Sequence, residues 1–302
     1  MRAPPQIRFL PDGHRLHLQD GPIDLVIGAF GAHEAVRAAY RAAADRFVTI
    51  LDELCVELPA LRARSRAGDK PMQGQVARAM QAAVAPFAPS DFITPMAAVA
   101  GAVADAVLSS MGAAATLERA YVNNGGDIAL LLGPEAAFTI GMVDRPDRPS
   151  LFGDVRITAA DPMRGLATSG WRGRSFSRGI ADAVTVLAAT AAEADAAATM
   201  IANAIDLPAH PAVRRAPAAS IQPDNDLGSR LVTREVGPLT RAEIDRALAG
   251  GAACARDLER RGLVHGASLH LQGVTRVIGA VPSLGAKPTQ TTPSLFREHA
   301  YA

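Results

Sequence analysis

The chain has 302 residues, 49% of them hydrophobic and 20% charged, enough for a large core in one domain or two intimate lobes. Its 31 basic and 30 acidic residues leave a formal net charge of +1, so no strong global field draws it to nucleic acid or to an anionic membrane. Two cysteines, Cys55 and Cys254, give neither a disulfide framework nor a metal-ligand spacing, and are expected to be small buried hydrophobes.

The opening MRAPPQIRFLPDGHRLHLQ lacks the apolar core of a signal peptide. No charge-free apolar run reaches the length of a membrane span, so a cytoplasmic protein with no membrane partner is expected. In HRLHLQDGPIDLVIGAF, apolar and polar residues alternate on both sides of Asp20-Gly21, which predicts a β-hairpin. Helical spacing follows: Val36, Tyr40, Ala44, Phe47, Ile50, Leu51 and Leu54 share one stripe, and Pro59 is expected to end that helix. After the polar stretch RARSRAGDKPMQG, a second helix is expected near Val76 to Val84.

A third helix begins at Thr94, a residue type suited to capping, with Pro95 in the first helical position. RAYVNNGGDIALLLG reads as strand, turn, strand, and AAFTIGMV and FGDVRITA as two more strands. GLATSGWRGRSFSRGIAD is read as a loop, followed by the strand AVTVLA. Thr190 and Glu193 have capping-box spacing ahead of an alanine-rich helix, and Thr240 and Glu243 repeat it ahead of another. LPAHPAVRRAPAASIQPDND reads as an irregular connection between these helices, and ASLHLQGV as the last strand. From Val281 a flexible tail is expected, leaving residues 1–280 as one folded unit or two intimate lobes. The irregular alternation of helices with hairpins predicts an α+β fold, with antiparallel or mixed sheets flanked by helices.

Three stretches carry residues suited to chemistry. Asp195 and Thr199 are four apart and lie on one helix face, offering the hard oxygen ligands that Mg²⁺ prefers. The same two residues suit a helix start and an intrahelical hydroxyl bond equally well. In NNGGD, Asn124, Gly125, Gly126 and Asp127 either approach a ligand closely or simply build a hairpin turn. In TSGWRGRSFSRG, the hydroxyls of Thr168, Ser169, Ser175 and Ser177, with Gly170 and Arg174, suit a phosphate-binding loop or a solvated basic loop. Trp171 either covers a flat ligand or anchors that loop.

The ordered segments TPMAAVAGAVAD, NNGGDIAL, ATSG and ADAVTVLAATAAEADAAAT resemble an uncharacterised family related to ApbE, the flavin transferase. LHLQDGPIDLVI, DLGSRLVTREVG and LHLQG extend the likeness over nearly the whole chain. The resemblance implies an ApbE-like α+β fold and an activity related to moving an FMN unit from FAD onto a protein threonine, with Mg²⁺ near the pyrophosphate. ApbE holds its metal with a D-A-x-x-T helix motif, which Asp195, Ala196 and Thr199 match. The resemblance further implies a backbone metal ligand near Gly101 and a Gly-Gly-Asp turn at Gly125, Gly126 and Asp127; Thr94, that turn and the 168–178 loop are the candidate nucleotide contacts. Asp182 and Asp127 are the candidate bases.

Two departures stand against full carry-over. Ala100 replaces the lysine that typically precedes the first motif's glycine, and RSFSRGIADA stands where ApbE carries a His-Ile-Ile-Asp-Pro-type segment. Three readings therefore remain open: an Mg²⁺-dependent enzyme acting on FAD or a related phosphate-bearing small molecule, a binding protein without transferase chemistry, and a hydrolase of a small ring compound. Alanine-rich helix faces also permit a homodimer.

Overall fold

The computed structural model describes residues 3–143, 151–279 and 300–301. A short strand β1 (Gln6–Phe9), exposed throughout, precedes the expected hairpin of β2 (Leu16–Asp20) and β3 (Ile23–Phe30). Gly21 turns that hairpin at φ +55°, a left-handed conformation that glycine adopts without a Cβ clash.

Helix α1 (His33–Val56) buries Tyr40, Phe47, Ile50 and Leu54 with Ala39 and Ala43 between them. The expected stripe is displaced by a fraction of a turn, so Val36, Ala44 and Leu51 form its half-buried margin. Pro59 does not terminate α1, which ends at Val56. It sits in the first turn of the short helix α2 (Leu58–Leu61), where a missing N–H costs nothing. Cys55 lies off the apolar stripe and is exposed, and Cys254 is half-buried, which corrects the expectation of two buried thiols.

Helix α3 (Gln75–Val84) appears where expected. Its entry at Gln73 and Gly74 donates two N–H bonds of 2.7 Å to the Glu57 carboxylate. Pro95 opens a 3₁₀ turn, Pro95–Ala98, that leads into α4 (Val99–Ala114). Thr94 precedes that turn but its side chain makes no capping bond there.

Strands β4 (Arg119–Asn124) and β5 (Asp127–Leu132) form the hairpin read from NNGGD. β6 (Ala137–Val143) and β7 (Leu151–Thr158) follow. GLATS, expected to be loop, is strand β8 (Gly165–Ser169). β9 (Ala183–Ala188) leads into α5 (Ala191–Ala204), whose capping box is present: Thr190 N donates to Glu193 Oε2 at 3.1 Å and Glu193 N to Thr190 Oγ1 at 3.2 Å.

The connection read as irregular contains β10 (Val213–Pro217) and α6 (Ala218–Ile221), and pairs with β11 (Leu231–Val236) across a bulge at Arg214/Arg215. The Thr240–Glu243 capping box opens α7 (Arg241–Arg260). The last expected strand is a hairpin, β12 (Gly266–Leu271) and β13 (Val274–Gly279), turning at Gln272 and Gly273, both with positive φ. β14 (Ala300–Tyr301) pairs parallel with β6, and the remainder of the expected tail lies outside the described residues.

The fold is α+β, as the sequence predicts; the pairs β1–β2, β2–β3, β3–β4, β4–β5, β5–β8, β9–β12, β12–β13 and β10–β11 are antiparallel, and β14–β6 is parallel. The chain divides into two compact units. The first contains residues up to Ala137, Thr158–Leu166 and Ala189–Ala196. In it, β1 to β5 pair in sequence order and the start of β8 adds beside β5. Helix α4 packs on α1, α3, β4 and β5. Leu18, Leu25, Ile27, Phe47, Ile50, Met80, Met111 and Ile128 fill this core.

The stretch Pro95–Ala114 has the length and mean hydropathy, 1.5, of a membrane span, but here it is the central helix of the unit's core. In the second unit, β9, β12 and β13 form an antiparallel group covered by α7, with β10–β11 as a separate pair and β14–β6–β7 as a separate three-stranded sheet.

Candidate functional site

In the first unit, Asp105 and Asp195 meet the starts of α5 and α4. An α-helix leaves its first N–H groups unpaired, and their combined dipole favours a negative charge. Each of these helices has that need met by an aspartate from the other. Asp195 Oδ2 accepts from Gly101 N at 3.1 Å. Asp105 accepts from Ala191 N at 3.1 Å and from Ala192 N at 2.9 Å.

Small residues make the approach possible. A Cβ on Gly101 would lie 2.2 Å from the Ala191 carbonyl oxygen, and one on Gly165 would lie 1.9 Å from the Thr190 carbonyl carbon. The start of α5 is thus wedged between two glycines.

The electrostatics are unfavourable to a bare carboxylate. Burial pushes Asp195 well above the ordinary carboxylate range, and the nearby charge of Asp127 adds to the shift, with Asp105 a smaller contributor. Burial likewise raises Asp105 to about 6, against the lowering effect of the two backbone bonds that it accepts. Asn124, buried at the end of β4, donates from Nδ2 to the Ala100 carbonyl at 3.1 Å. Gly125 and Gly126 take φ +67° and +115° in the turn, and Gly126 N donates to Asn123 Oδ1 at 2.9 Å. The turn reading of NNGGD is therefore met, and the same turn sets Asn124 and Asp127 beside the helix starts.

Thr199 follows Asp195 by four residues on α5, half-buried like it, past the point where that helix passes into the second unit. No group of three or more His, Cys, Asp or Glu converges as a metal site among the described residues. A site here would have to combine carboxylate with hydroxyl and backbone oxygen.

The expected phosphate loop belongs to the second unit and is anchored rather than open along much of its length. Asp182 is its hub. Oδ1 accepts from Arg172 Nε at 2.7 Å and from Trp171 Nε1 at 3.2 Å, and Oδ2 accepts from Gln272 N at 2.6 Å. The Arg172 guanidinium also stacks 4.3 Å from the Trp171 ring centre. Gly170 packs against the Asp182 carbonyl, where a Cβ would approach to 2.4 Å. Thr168 Oγ1 and Thr185 Oγ1 are 2.9 Å apart, and the buried Ser177 hydroxyl accepts from Gly179 N at 3.2 Å. Ser169 is half-buried, while Arg174 and Ser175 are exposed. Trp171 thus anchors the loop through its indole N–H.

Asp105 and Gly165 were not singled out in the sequence. A signal exists: GAVAD (101–105) and AAEAD (191–195) each place an aspartate four residues after a small residue at a helix start.

A family model described as AbpE bacteria matches residues 7–277. Among curated relatives, the UPF0280 protein of Methanopyrus kandleri is 38% identical over 129 residues, covering 43% of this chain and 48% of that protein. The UPF0280 protein of Methanothermobacter thermautotrophicus is 39% identical over 119 residues, covering 38% and 44%. The chain spans about half the length of the curated relatives it matches.

Two solved structures are similar over 90% of this chain. They are the ApbE protein of Thermotoga maritima (13% identity, 96% of that chain, TM-score 0.49) and the apo flavinyl transferase ApbE of Pseudomonas stutzeri (14%, 94%, TM-score 0.40). With the family model matching most of its length, the chain belongs to the AbpE bacteria family, an ApbE-like family.

Proposed function

We propose that this protein binds Mg²⁺ through Asp195 and Thr199 and acts on a phosphate-bearing nucleotide, FAD or a close relative, by transfer or hydrolysis at the pyrophosphate. One observation carries the reading. Asp195 is fixed by the Gly101 N–H in a place where burial and the charge of Asp127 oppose its ionisation. A bound cation removes that penalty.

The donor chemistry fits as well, since a carboxylate and a hydroxyl one turn apart are hard oxygens. When bound, Mg²⁺ supplies neutralisation of charge on the pyrophosphate. The chain's own groups orient and hold. Gly101 N–H fixes one carboxylate oxygen, Asn124 holds the Ala100 carbonyl, and Gly125–Gly126 keep the turn free of side chains. Of the two candidate bases, Asp127 takes the proton-accepting role in this proposal. Asp182 already accepts three donors, and a base needs a lone pair facing its proton. An aqueous, cytoplasmic setting suits such a nucleotide.

A second reading, ligand binding without transfer, is favoured by Ala100 in the lysine position and by the full engagement of Asp182. Incubation with FAD and MgCl₂ separates the two. Released AMP, lost in Asp195→Ala, supports the enzyme. A yellow protein that releases no AMP supports the binder. Colourless protein with no heat on Mg²⁺ titration overturns both.

A further inference from the structure

We infer that Asp105 is a positioning residue: by holding the first N–H groups of α5 it sets the place of Asp195. The inference rests on the reading of Asp195 as a cation ligand, and it concerns a residue that does not itself touch the cation.

The argument begins with the two helix starts. Asp105 stands near the middle of α4, yet it receives the N–H groups of Ala191 and Ala192, the first two residues of α5. The local cap of α5 is Thr190, whose hydroxyl serves Glu193 N. Asp105 therefore satisfies donors that the capping box leaves over. Asp195 follows Ala191 by one turn and returns the same service to Gly101, one turn before Asp105. The contact is reciprocal, so neither helix start slides without breaking bonds at both.

Gly101 and Gly165 close the remaining freedom, because each lies against the backbone of Thr190 or Ala191 with no room for a Cβ. A carboxylate at 105 thus fixes the N-terminal register of α5. Asp195, the next residue on that face, inherits the placement. Groups that orient a metal ligand without touching the ion characteristically change affinity by about 10–100-fold when removed.

A charge effect is the competing account, since Asp105 also contributes negative potential at Asp195. Asparagine separates the two, because it keeps an acceptor oxygen and loses the charge. The experiment uses the full chain and two variants, Asp105→Ala and Asp105→Asn. Amide hydrogen exchange is read at Ala191 and Ala192, and Mg²⁺ affinity by calorimetry.

Positioning predicts that Asp105→Ala speeds exchange at both amides and weakens Mg²⁺ by about tenfold or more. It predicts that Asp105→Asn binds Mg²⁺ within about threefold of wild type, as expected when a cap keeps its acceptor. One oxygen cannot serve two donors fully, so only one of the two amides should then exchange faster. This result stands even where Asp105→Ala fails to fold.

Three results overturn the inference: unchanged exchange at both amides, Asp105→Asn as impaired in Mg²⁺ binding as Asp105→Ala, or faster exchange with unchanged Mg²⁺ affinity. Faster exchange in a protein whose wild type shows no Mg²⁺ heat would instead remove the Asp195 ligand reading and leave Asp105 as the anchor of α5.

Discussion

Asp195 and Asp182 are both drawn into the protein, and their surroundings differ in kind. Asp182 meets a guanidinium, an indole N–H and a backbone N–H, three donors that its two oxygens accept. Asp195 meets backbone N–H and the negative charges of Asp127 and Asp105. A buried acid paired with a cation is complete, and its role is to hold segments together. An acid among acids carries a charge that its surroundings oppose, and in the proposal a cation offsets that opposition. That contrast, more than the motif spacing, separates the proposed ligand from the proposed anchor.

The largest expected effect is on cation binding. Asp195→Ala should abolish the Mg²⁺ response in calorimetry while the far-UV spectrum stays that of the folded chain, and Asp182→Asn should leave Mg²⁺ affinity within about twofold, as for a site without a shared partner. Stability should separate the two isosteric variants, measured by urea unfolding without metal. Asp182→Asn leaves the partly buried Arg172 unpaired and should cost about 2–3 kcal/mol. Asp195→Asn removes a penalised charge and should leave the apo protein as stable or more so. Equal destabilisation by both would erase the distinction.

The pH dependence sharpens it further. Asp105 titrates at about 6 in the folded chain against 3.8 for an ordinary aspartate, so the folded state binds the proton more tightly. Stability from this group is present below the unfolded value and is lost as pH rises from about 4 to 6, by about 3 kcal/mol at most. Asp12 and Glu243, held near 2 by their hydrogen bonds, act in the other direction. Their contribution is present above about pH 4 and is lost as pH falls towards 2. Urea midpoints across pH 3 to 8 should therefore decline above pH 4 in wild type, and less so in Asp105→Asn.

The smallest effect is a control. Thr240→Ala removes the hydroxyl side of the α7 capping box and should cost about 1 kcal/mol with no change in Mg²⁺ affinity.

Much of this was legible in the sequence wherever a local signal sufficed. Alternation around Asp20-Gly21, the capping boxes at Thr190 and Thr240, and Asn-Gly-Gly-Asp each name a structure by short-range chemistry. The misses share a cause. β1 is an exposed edge strand four residues long, β8 hides in a glycine-rich stretch, and β10 and β11 form around prolines and a bulge. None shows a period of two long enough to read. Pro59 misled because proline is admitted in a first helical turn as readily as it ends a helix.

At the site, Asp195, Gly101 and the Asn124–Asp127 turn were named from sequence, and the structure brings them together. Asp105 was not, because its partners at Ala191 and Ala192 lie 86 and 87 residues away. The base role read for Asp182 rested on residue type alone, and its three donors were invisible until Trp171, Arg172 and Gln272 were placed around it.

The central claim is that the Asp195 carboxylate holds a cation. The most direct test is an anomalous difference map from crystals of the full chain grown with MnCl₂ in place of Mg²⁺. The account predicts a peak within bonding distance of the Asp195 carboxylate and the Thr199 hydroxyl, with Asp105 still on Ala191 and Ala192. A map with no peak there at millimolar ion, and Asp195 engaged only by Gly101, would contradict it.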